Sequence, residues 1–347
     1  MKVLRTERSC ILWHNFINQQ KILFSMICLG IESTAHTFGA GIVSSEGRIL
    51  ANVKKVFTTE TGGMIPQEVA KHHEEVCDSV VEEAMQNAKV SWDDIGLISY
   101  ARGPGLAPAL KIGMEVAKNL SSKIKKPLIG VNHCVAHLTI GQLCTGAKDP
   151  VFLYVSGVNT QIIAIAGGRF RIFGETLDIG IGNALDKFGR EAGLGFPAGP
   201  KIEKLAENGK YIEMPYVVKG MDTSFAGLVT KATQLLKKGE KIEDVCCAFQ
   251  ETAFAMVTEV SERALAHCEK KELLLIGGVA ANKKLCSMLD KMCKQRNATF
   301  FAVPLEYAGD QGAMIAWQGL LEFGKSKEVP IDIYPYERTD TIEVTWT

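Results

Sequence analysis

The chain has 347 residues, more than one compact core usually holds, so two domains are expected. Hydrophobic residues make up 46% and charged residues 22%, which excludes a disordered or fibrous chain. With 39 Lys and Arg against 39 Asp and Glu, the chain has no global basic excess, so any grip on nucleic acid must come from a local patch or a partner subunit.

Residues 1–25 are basic and then apolar. The apolar part is broken by His14, Asn15, Asn18, Gln19, Gln20 and Lys21, and no small-residue cleavage site follows. They read as an N-terminal extension outside the fold. From Met26, the runs "ICLGIEST", "TFGAGIVSS" and "RILANVKKVFT" are β-branched and apolar between polar turns, which predicts a three-strand meander. "PQEVAKHHEEVCDSVVEEAMQNA" has helical apolar spacing at Val69, Val76, Val80 and Met85. "IGLISYARGPG" predicts a strand, "APALKIGMEVAKNLSSKI" a helix, and "PLIGVNH" a strand entering a helix.

Near Asp149-Pro150 the pattern restarts. "PVFLYVSG", "TQIIAIAGG" and "RFRIFGETLD" predict a second meander. Helices are expected near 181–192, 200–208, 227–238 and 241–269. A buried strand "ELLLIGG", a helix from Ala280, a strand "TFFAV" and a helix from Asp310 to Phe323 complete the series. A meander that recurs, each time followed by helices, predicts an α/β duplication: a lobe at 26–150, a second at 151–347, and polar Gly-containing loops facing a central nucleotide cleft. That organisation is the two-lobed actin, sugar-kinase and Hsp70 type. No run is long enough for a membrane span. The ten cysteines contain no C-x-x-C pair, which points to reduced, buried thiols in a cytoplasmic protein.

The chemistry concentrates in a few places. His133 and His137 in "NHCVAHL" stand four apart on one helix face, where both imidazoles can reach one ion. A pair of hydrogen-bonded structural histidines has the same spacing. Cys134 stands where H-E-x-x-H carries its glutamate, so a zinc-protease base is missing. Asp310 in "AGDQG" offers a carboxylate at a helix start, as a further ligand or as an N-cap. Tyr154, at a strand end, could add a weaker oxygen donor. "LLLIGGVAAN" breaks a buried strand at Gly277-Gly278 before a helix, the order a nucleotide loop requires, with Asn282 next in line. Asp186 and Glu203, beside the turn at Gly199, could hold ribose hydroxyls or be two solvated helical acids.

The segments "GIEST", "GPGLAPAL", "NHCVAHL", "YVSGVNTQ", "FGETLD", "GNALDKFGRE", "GMDTSFAGL", "IGGVAAN" and "AGDQGAMIAW", in this order over residues 26–347, resemble the tRNA threonylcarbamoyladenosine transferase family. The match is to its archaeal and eukaryotic branch, the catalytic subunit of the KEOPS complex. The resemblance implies transfer of a threonylcarbamoyl group from threonylcarbamoyl-AMP to N6 of the adenosine beside the anticodon of ANN-decoding tRNAs. It implies one divalent metal, iron ahead of zinc, on His133, His137, Tyr154 and Asp310. It places Tyr154, Val155, Ser156, Gly157 and Val158, with Asp186, Gly199, Glu203, Gly277, Gly278 and Asn282, around threonylcarbamoyl-AMP or ATP/AMP. It implies tRNA and KEOPS subunits as partners: a small protein kinase/ATPase as direct neighbour and a dimerising subunit.

Three positions depart from the family pattern: Val158 where glycine is common, Ala226 where serine is, and Gln311 where asparagine is. A β-branched residue at Val158 would be strained if that position needs a positive φ. Two other function classes remain. An actin-fold small-molecule kinase or ATPase would usually carry Asp where Glu32 stands, and would turn over ATP without this metal. A nucleotide-binding scaffold would leave tRNA modification intact in its absence.

Overall fold

A computed structural model describes residues 26–58, 65–325 and 330–346. The expected extension at 1–25 lies outside the described residues. The chain forms two compact units. The first holds the described residues up to Thr139, Asp310–Arg338 and the last residues from Thr345; the second holds Ile140–Gly309 and Thr339–Val344. The expected lobe at 151–347 is therefore interrupted, because Asp310–Arg338 packs with the first unit.

In the first unit, β1 (Ile27–Glu32), β2 (Thr37–Ser44) and β3 (Ile49–Val56) form the predicted antiparallel meander. β4 (Ile95–Gly103) and β5 (Leu128–Asn132) extend it in parallel, giving the order β3-β2-β1-β4-β5. β1, β2 and β4 are buried almost throughout, which is why they read as continuous apolar runs. Edge strand β3 ends in exposed Lys54, Lys55 and Val56, and charge on an edge discourages further pairing. One sheet face packs Leu29, Ile31, Phe38 and Ile42 with Val80 and Ala84 of α1 (Pro66–Ala88) and Met114 of α2 (Ala107–Ile124).

The other face carries α10 (Gly312–Glu322) at unusually short range. A methyl group at Gly41 would lie 2.0 Å from Ala313 N, and one at Gly30 would lie 2.2 Å from Ala316 N. Glycines on the sheet against Gly312, Ala313 and Ala316 on the helix let two backbones touch. Gly30 of β1 and the G-x-G of β2, Gly39 and Gly41, thus set the depth of α10, and with it the place of Asp310. Gly41→Ala is expected to force α10 outward and to cost about 1–3 kcal/mol or more, as overpacked cores do. A denaturant melt unchanged from wild type would contradict this close packing.

The second unit repeats the topology. β6 (Val151–Val155), β7 (Thr160–Ala166) and β8 (Arg169–Glu175) form the second meander, with β11 (Glu272–Ile276) and β12 (Thr299–Ala302) parallel to it. Its order is β12-β11-β6-β7-β8, the same plan as the first sheet. α4 (Ile181–Glu191), α5 (Gly199–Ala206), α6 (Ala226–Lys237) and α7 (Ile242–His267) fall where helices were expected. Phe188 of α4 stacks on Phe249 of α7 at 4.9 Å between ring centroids. A two-strand ribbon, β9 (Val218–Lys219) and β10 (Asp222–Thr223), and a short α9 (Leu305–Ala308) are additions the sequence patterns did not indicate. They are too short to show a period.

No disulfide joins the described cysteines. Burial pushes Cys28 and Cys246 up to about 12 and Cys144 and Cys293 up to about 11. Their thiolates are scarce at neutral pH, so alkylation of these four in the folded protein is expected to be slow.

Candidate metal centre and nucleotide loops

β5 runs directly into α3 (His133–Thr145). Asn132, the last strand residue, accepts from Val135 N–H at 3.0 Å through Oδ1 and so caps the helix. His133 and His137 then fall on one helix face, 7% and 3% exposed, with ring centroids 4.7 Å apart. Asp310 comes from the other end of the sequence. Its Oδ1 lies 3.2 Å from His137 Nε2 and 3.6 Å from His133 Nε2. One ligand atom from each of the three residues lies within 4.8 Å of the others.

The sequence places the Asp310 carboxylate at the start of a helix running from Asp310, as a ligand or as its N-cap. The helix instead begins at Gly312, and Gln311 caps it by accepting from Met314 N–H at 3.3 Å. The long Gln311 side chain takes the cap role, which leaves the Asp310 carboxylate turned to the histidines with only 18% of its side chain exposed. Lys54 Nζ donates to the Asp310 main-chain carbonyl at 3.4 Å.

Electrostatics suit a cation. Burial tends to raise the Asp310 pKa, but the hydrogen bond from His137 and the positive charge of His133 hold it well below the usual carboxylate range. Burial keeps His137 below its usual value, so it stays neutral. Burial also opposes charge on His133, yet the Glu32 carboxylate outweighs it and carries the group to about 9. Two carboxylates thus draw a positive charge into this spot, and a proton on His133 meets it in the metal-free protein. Two imidazoles and an anionic oxygen are a donor set for iron or zinc. The residues fit the implied metal.

Glu32 entered the sequence reading only as the acid of the first loop. Its Oε2 accepts from His133 Nδ1 at 2.8 Å. No local spacing could reveal this, because the two residues stand 101 positions apart.

Tyr154 is a residue of the second unit, 2% exposed, paired with Ile276 of β11 and Gln161 of β7. The loop that follows it is tied to the start of α4. Gly182 N–H donates to Ser156 O at 3.1 Å, and Asn183 N–H to Gly157 O at 3.0 Å. Val158 is 70% exposed and is not among the positive-φ residues, so its side chain meets no strain. Gly277 has φ 94°, and a methyl there would lie 2.2 Å from Val155 O, so glycine is required. Gly278 opens a short 3-10 turn, Gly278–Ala281, in place of the helix expected from Ala280. The helix α8 (Lys283–Gln295) starts later because Asn282 caps it, accepting from Leu285 N–H at 3.1 Å. Asn282 also donates to Gln250 Oε1 at 3.1 Å and is 7% exposed.

Asp186 accepts from Ala198 N–H at 2.8 Å, one residue before Gly199, and burial raises its pKa. Glu203 accepts from Lys283 N–H at 2.7 Å. These bonds link α4, α5 and the 277–283 segment, so the structure gathers the second unit's candidate nucleotide residues into one connected set. Each of these two bonds uses one oxygen of its carboxylate. Ala226 opens α6, where its N–H donates to Asp178 Oδ2 at 2.9 Å. Asp178 also receives Phe225 N–H at 2.9 Å and the Ser224 hydroxyl, so this acid caps the helix. The cap works through main-chain N–H groups, which alanine supplies as well as serine.

A family model described as TsaD, tRNA N6-adenosine threonylcarbamoyltransferase, matches residues 48–317. A tRNA N6-adenosine threonylcarbamoyltransferase of Thermococcus sibiricus is 53% identical over 326 residues, 92% of this chain and 100% of the relative. A "Probable bifunctional tRNA threonylcarbamoyladenosine biosynthesis protein" of Methanobrevibacter smithii is 50% identical, and the match spans 92% of this chain but 60% of that longer protein. Among solved structures, full-length HypF in its phosphate- and nucleotide-bound form is similar with a TM-score of 0.60 at 11% identity, over 88% of this chain and 57% of that one. Component A of the Acidaminococcus fermentans (R)-2-hydroxyglutaryl-CoA dehydratase is similar at 0.51 and 14% identity, over 85% and 98%. At such identities the structural likeness shows the fold alone, and it is the expected actin-like α/β class. The sequence matches go further: the chain belongs to the tRNA N6-adenosine threonylcarbamoyltransferase family.

Proposed function

We propose that this transferase works with one divalent metal, iron or zinc, held by His133, His137 and Asp310, and takes its threonylcarbamoyl group from threonylcarbamoyl-AMP. The observation that carries the metal reading is the convergence of two buried histidine nitrogens on one mostly buried carboxylate oxygen, at 3.2 and 3.6 Å. When bound, a divalent ion would supply Lewis-acid charge neutralisation to an oxygen of the donor.

The chain's own residues account for the rest. The donor is a mixed anhydride and already activated, so no covalent nucleophile is needed from the protein. N6 of the adenosine bonds to the carbamoyl carbon, the C–O bond to phosphate breaks with its electron pair leaving on AMP, and N6 gives up one proton to solvent. The 154–158 loop, with Asp186, Gly199, Glu203, Gly277, Gly278 and Asn282, is read as the holder of the nucleotide part. Carboxylates suit ribose hydroxyls, and Gly277-Gly278 suit close approach of a ring or phosphate. Positioning matters because an exocyclic amine is a poor nucleophile. The target base sits in a single-stranded loop, from which it can be turned out without breaking a duplex.

The zero net charge bears on partners. We expect the chain alone to bind tRNA weakly, and more tightly and with stronger salt dependence beside KEOPS-type subunits: a small protein kinase/ATPase and a dimerising subunit. Filter binding against salt concentration checks this, and nanomolar binding by the isolated chain at physiological salt would contradict it. Among the described residues no helix is long and apolar enough to cross a membrane. The reading as a whole is tested by supplying threonylcarbamoyl-AMP, ANN-decoding tRNA and partner subunits, with and without metal. Transfer that needs this chain and the metal supports it; transfer by the partners without this chain overturns it.

A further inference from the structure

His133 is gripped on the side away from Asp310. Its Nδ1–H donates to Glu32 Oε2 at 2.8 Å, with Thr34 Oγ1 3.2 Å from the same nitrogen. Glu32 closes β1 and is fully buried. Its second oxygen, Oε1, accepts from Thr34 N–H at 2.7 Å and from the Thr34 hydroxyl. The carbonyl of Thr34 accepts from Leu106 N–H at 2.8 Å, so the loop is braced by the start of α2. Three donors converge on one carboxylate, and every one needs an acceptor. Both oxygens of the carboxyl group are thus engaged as acceptors.

The neutral imidazole carries a proton on one nitrogen and a lone pair on the other, and a partner on one nitrogen decides which. A proton held at Nδ1 leaves Nε2 as the donor nitrogen. Nε2 is also the atom that faces Asp310, at 3.6 Å. A fully buried carboxylate is costly without partners, so its place here calls for a reason beyond filling space. We infer that Glu32 is a positioning residue of this transferase: it fixes the proton of His133 on Nδ1 and so presents Nε2 to the metal. It acts through His133 and touches no reacting atom. The inference rests on reading His133, His137 and Asp310 as the metal site.

Glu32→Gln separates this role from packing, because it keeps the side-chain shape. A carboxamide has one acceptor oxygen and one NH2 group. With the oxygen on Thr34, the NH2 group donates to His133 Nδ1 and drives the imidazole proton to Nε2, closing the ligand position. The reverse orientation would set the NH2 group against the Thr34 N–H, so the oxygen is expected to stay on Thr34. Zinc affinity of the full chain, read by chelator competition, is expected to fall about 10–100-fold in Glu32→Gln, the range for outer partners of metal-bound histidines. Nitrogen-15 and proton spectra of the metal-free wild type, recorded above pH 9 where the imidazole is neutral, are expected to show an Nδ1–H on His133, assigned by its loss in His133→Gln. That signal should vanish in Glu32→Gln, which altered packing alone would not cause.

A folded Glu32→Gln protein with wild-type zinc affinity would overturn the proposal. So would a wild-type His133 without a proton on Nδ1. If Glu32→Gln does not fold, the wild-type spectrum still decides. If the wild type binds no zinc or iron, the metal reading fails, and the Nδ1–H measurement judges Glu32 independently.

Discussion

Asp310→Asn is expected to leave the protein folded, strip it of metal and lower threonylcarbamoyl transfer by more than about 100-fold. Outer partners of metal ligands alone are worth about 10–100-fold, and Asp310 is read as a direct ligand. Asparagine keeps the shape of aspartate and can still accept from His137 Nε2, now 3.2 Å from the Asp310 oxygen. What it removes is the anionic charge that two neutral imidazoles cannot replace. Metal content by elemental analysis and single-turnover transfer to tRNA check both halves of the expectation. A metal-replete, fully active Asp310→Asn enzyme would show that the carboxylate is only a hydrogen-bond partner of His137.

Glu337→Ala is expected to destabilise the first unit by about 3–5 kcal/mol, the cost of leaving a buried ion uncompensated. Arg102 Nε donates to both oxygens of Glu337, at 3.1 and 3.0 Å, and its Nη2 stands 2.9 Å from Oε1. The side chains are 6% and 13% exposed. Arg102 cannot shed its proton, so the alanine variant must bury a bare charge or pull it out to water. Asn132 also donates to Glu337 Oε2 at 3.0 Å while its own oxygen caps α3. The first turn of the histidine helix therefore hangs on this pair, and faster amide exchange there should accompany the loss of stability. Glu337→Gln, which keeps the shape and one acceptor oxygen but not the charge, should cost less. Equal stability of wild type and Glu337→Ala in urea would contradict the assignment.

That contact belongs to a strap the sequence did not reveal. Tyr334 N–H donates to Arg102 O at 2.7 Å, and Tyr100 Oη donates to Asp332 O at 2.9 Å. These bonds fasten the segment after α10 onto β4. Nothing in the local composition of "IDIYPYER" announces a partner more than 200 residues earlier, so the segment read as part of a contiguous second lobe. Periodic features were legible. Both meanders follow from β-branched apolar runs between polar turns, and the long helices and the one-face placement of His133 and His137 from the 3.6-residue repeat.

What escaped depends on which side chain takes which hydrogen bond. Gln311 rather than Asp310 caps α10, and Asn282 caps α8 while bonded to Gln250. Glu32 meets His133 only through the pairing of β1 with β4 and β4 with β5, which carries the end of one strand to the start of a helix. Val158 could be judged only once the backbone was seen, since strain depends on φ and not on the residue name.

The central claim is that His133, His137 and Asp310 together hold a metal that tRNA modification requires. Anaerobically purified chain, stripped with a chelator and then given iron or zinc, tests it most directly in a reconstituted transfer assay. The account predicts one ion per chain, activity lost on stripping and restored on return of the ion, and neither retention nor rescue in a His133→Ala, His137→Ala double variant. Full transfer by metal-free wild-type protein would contradict it.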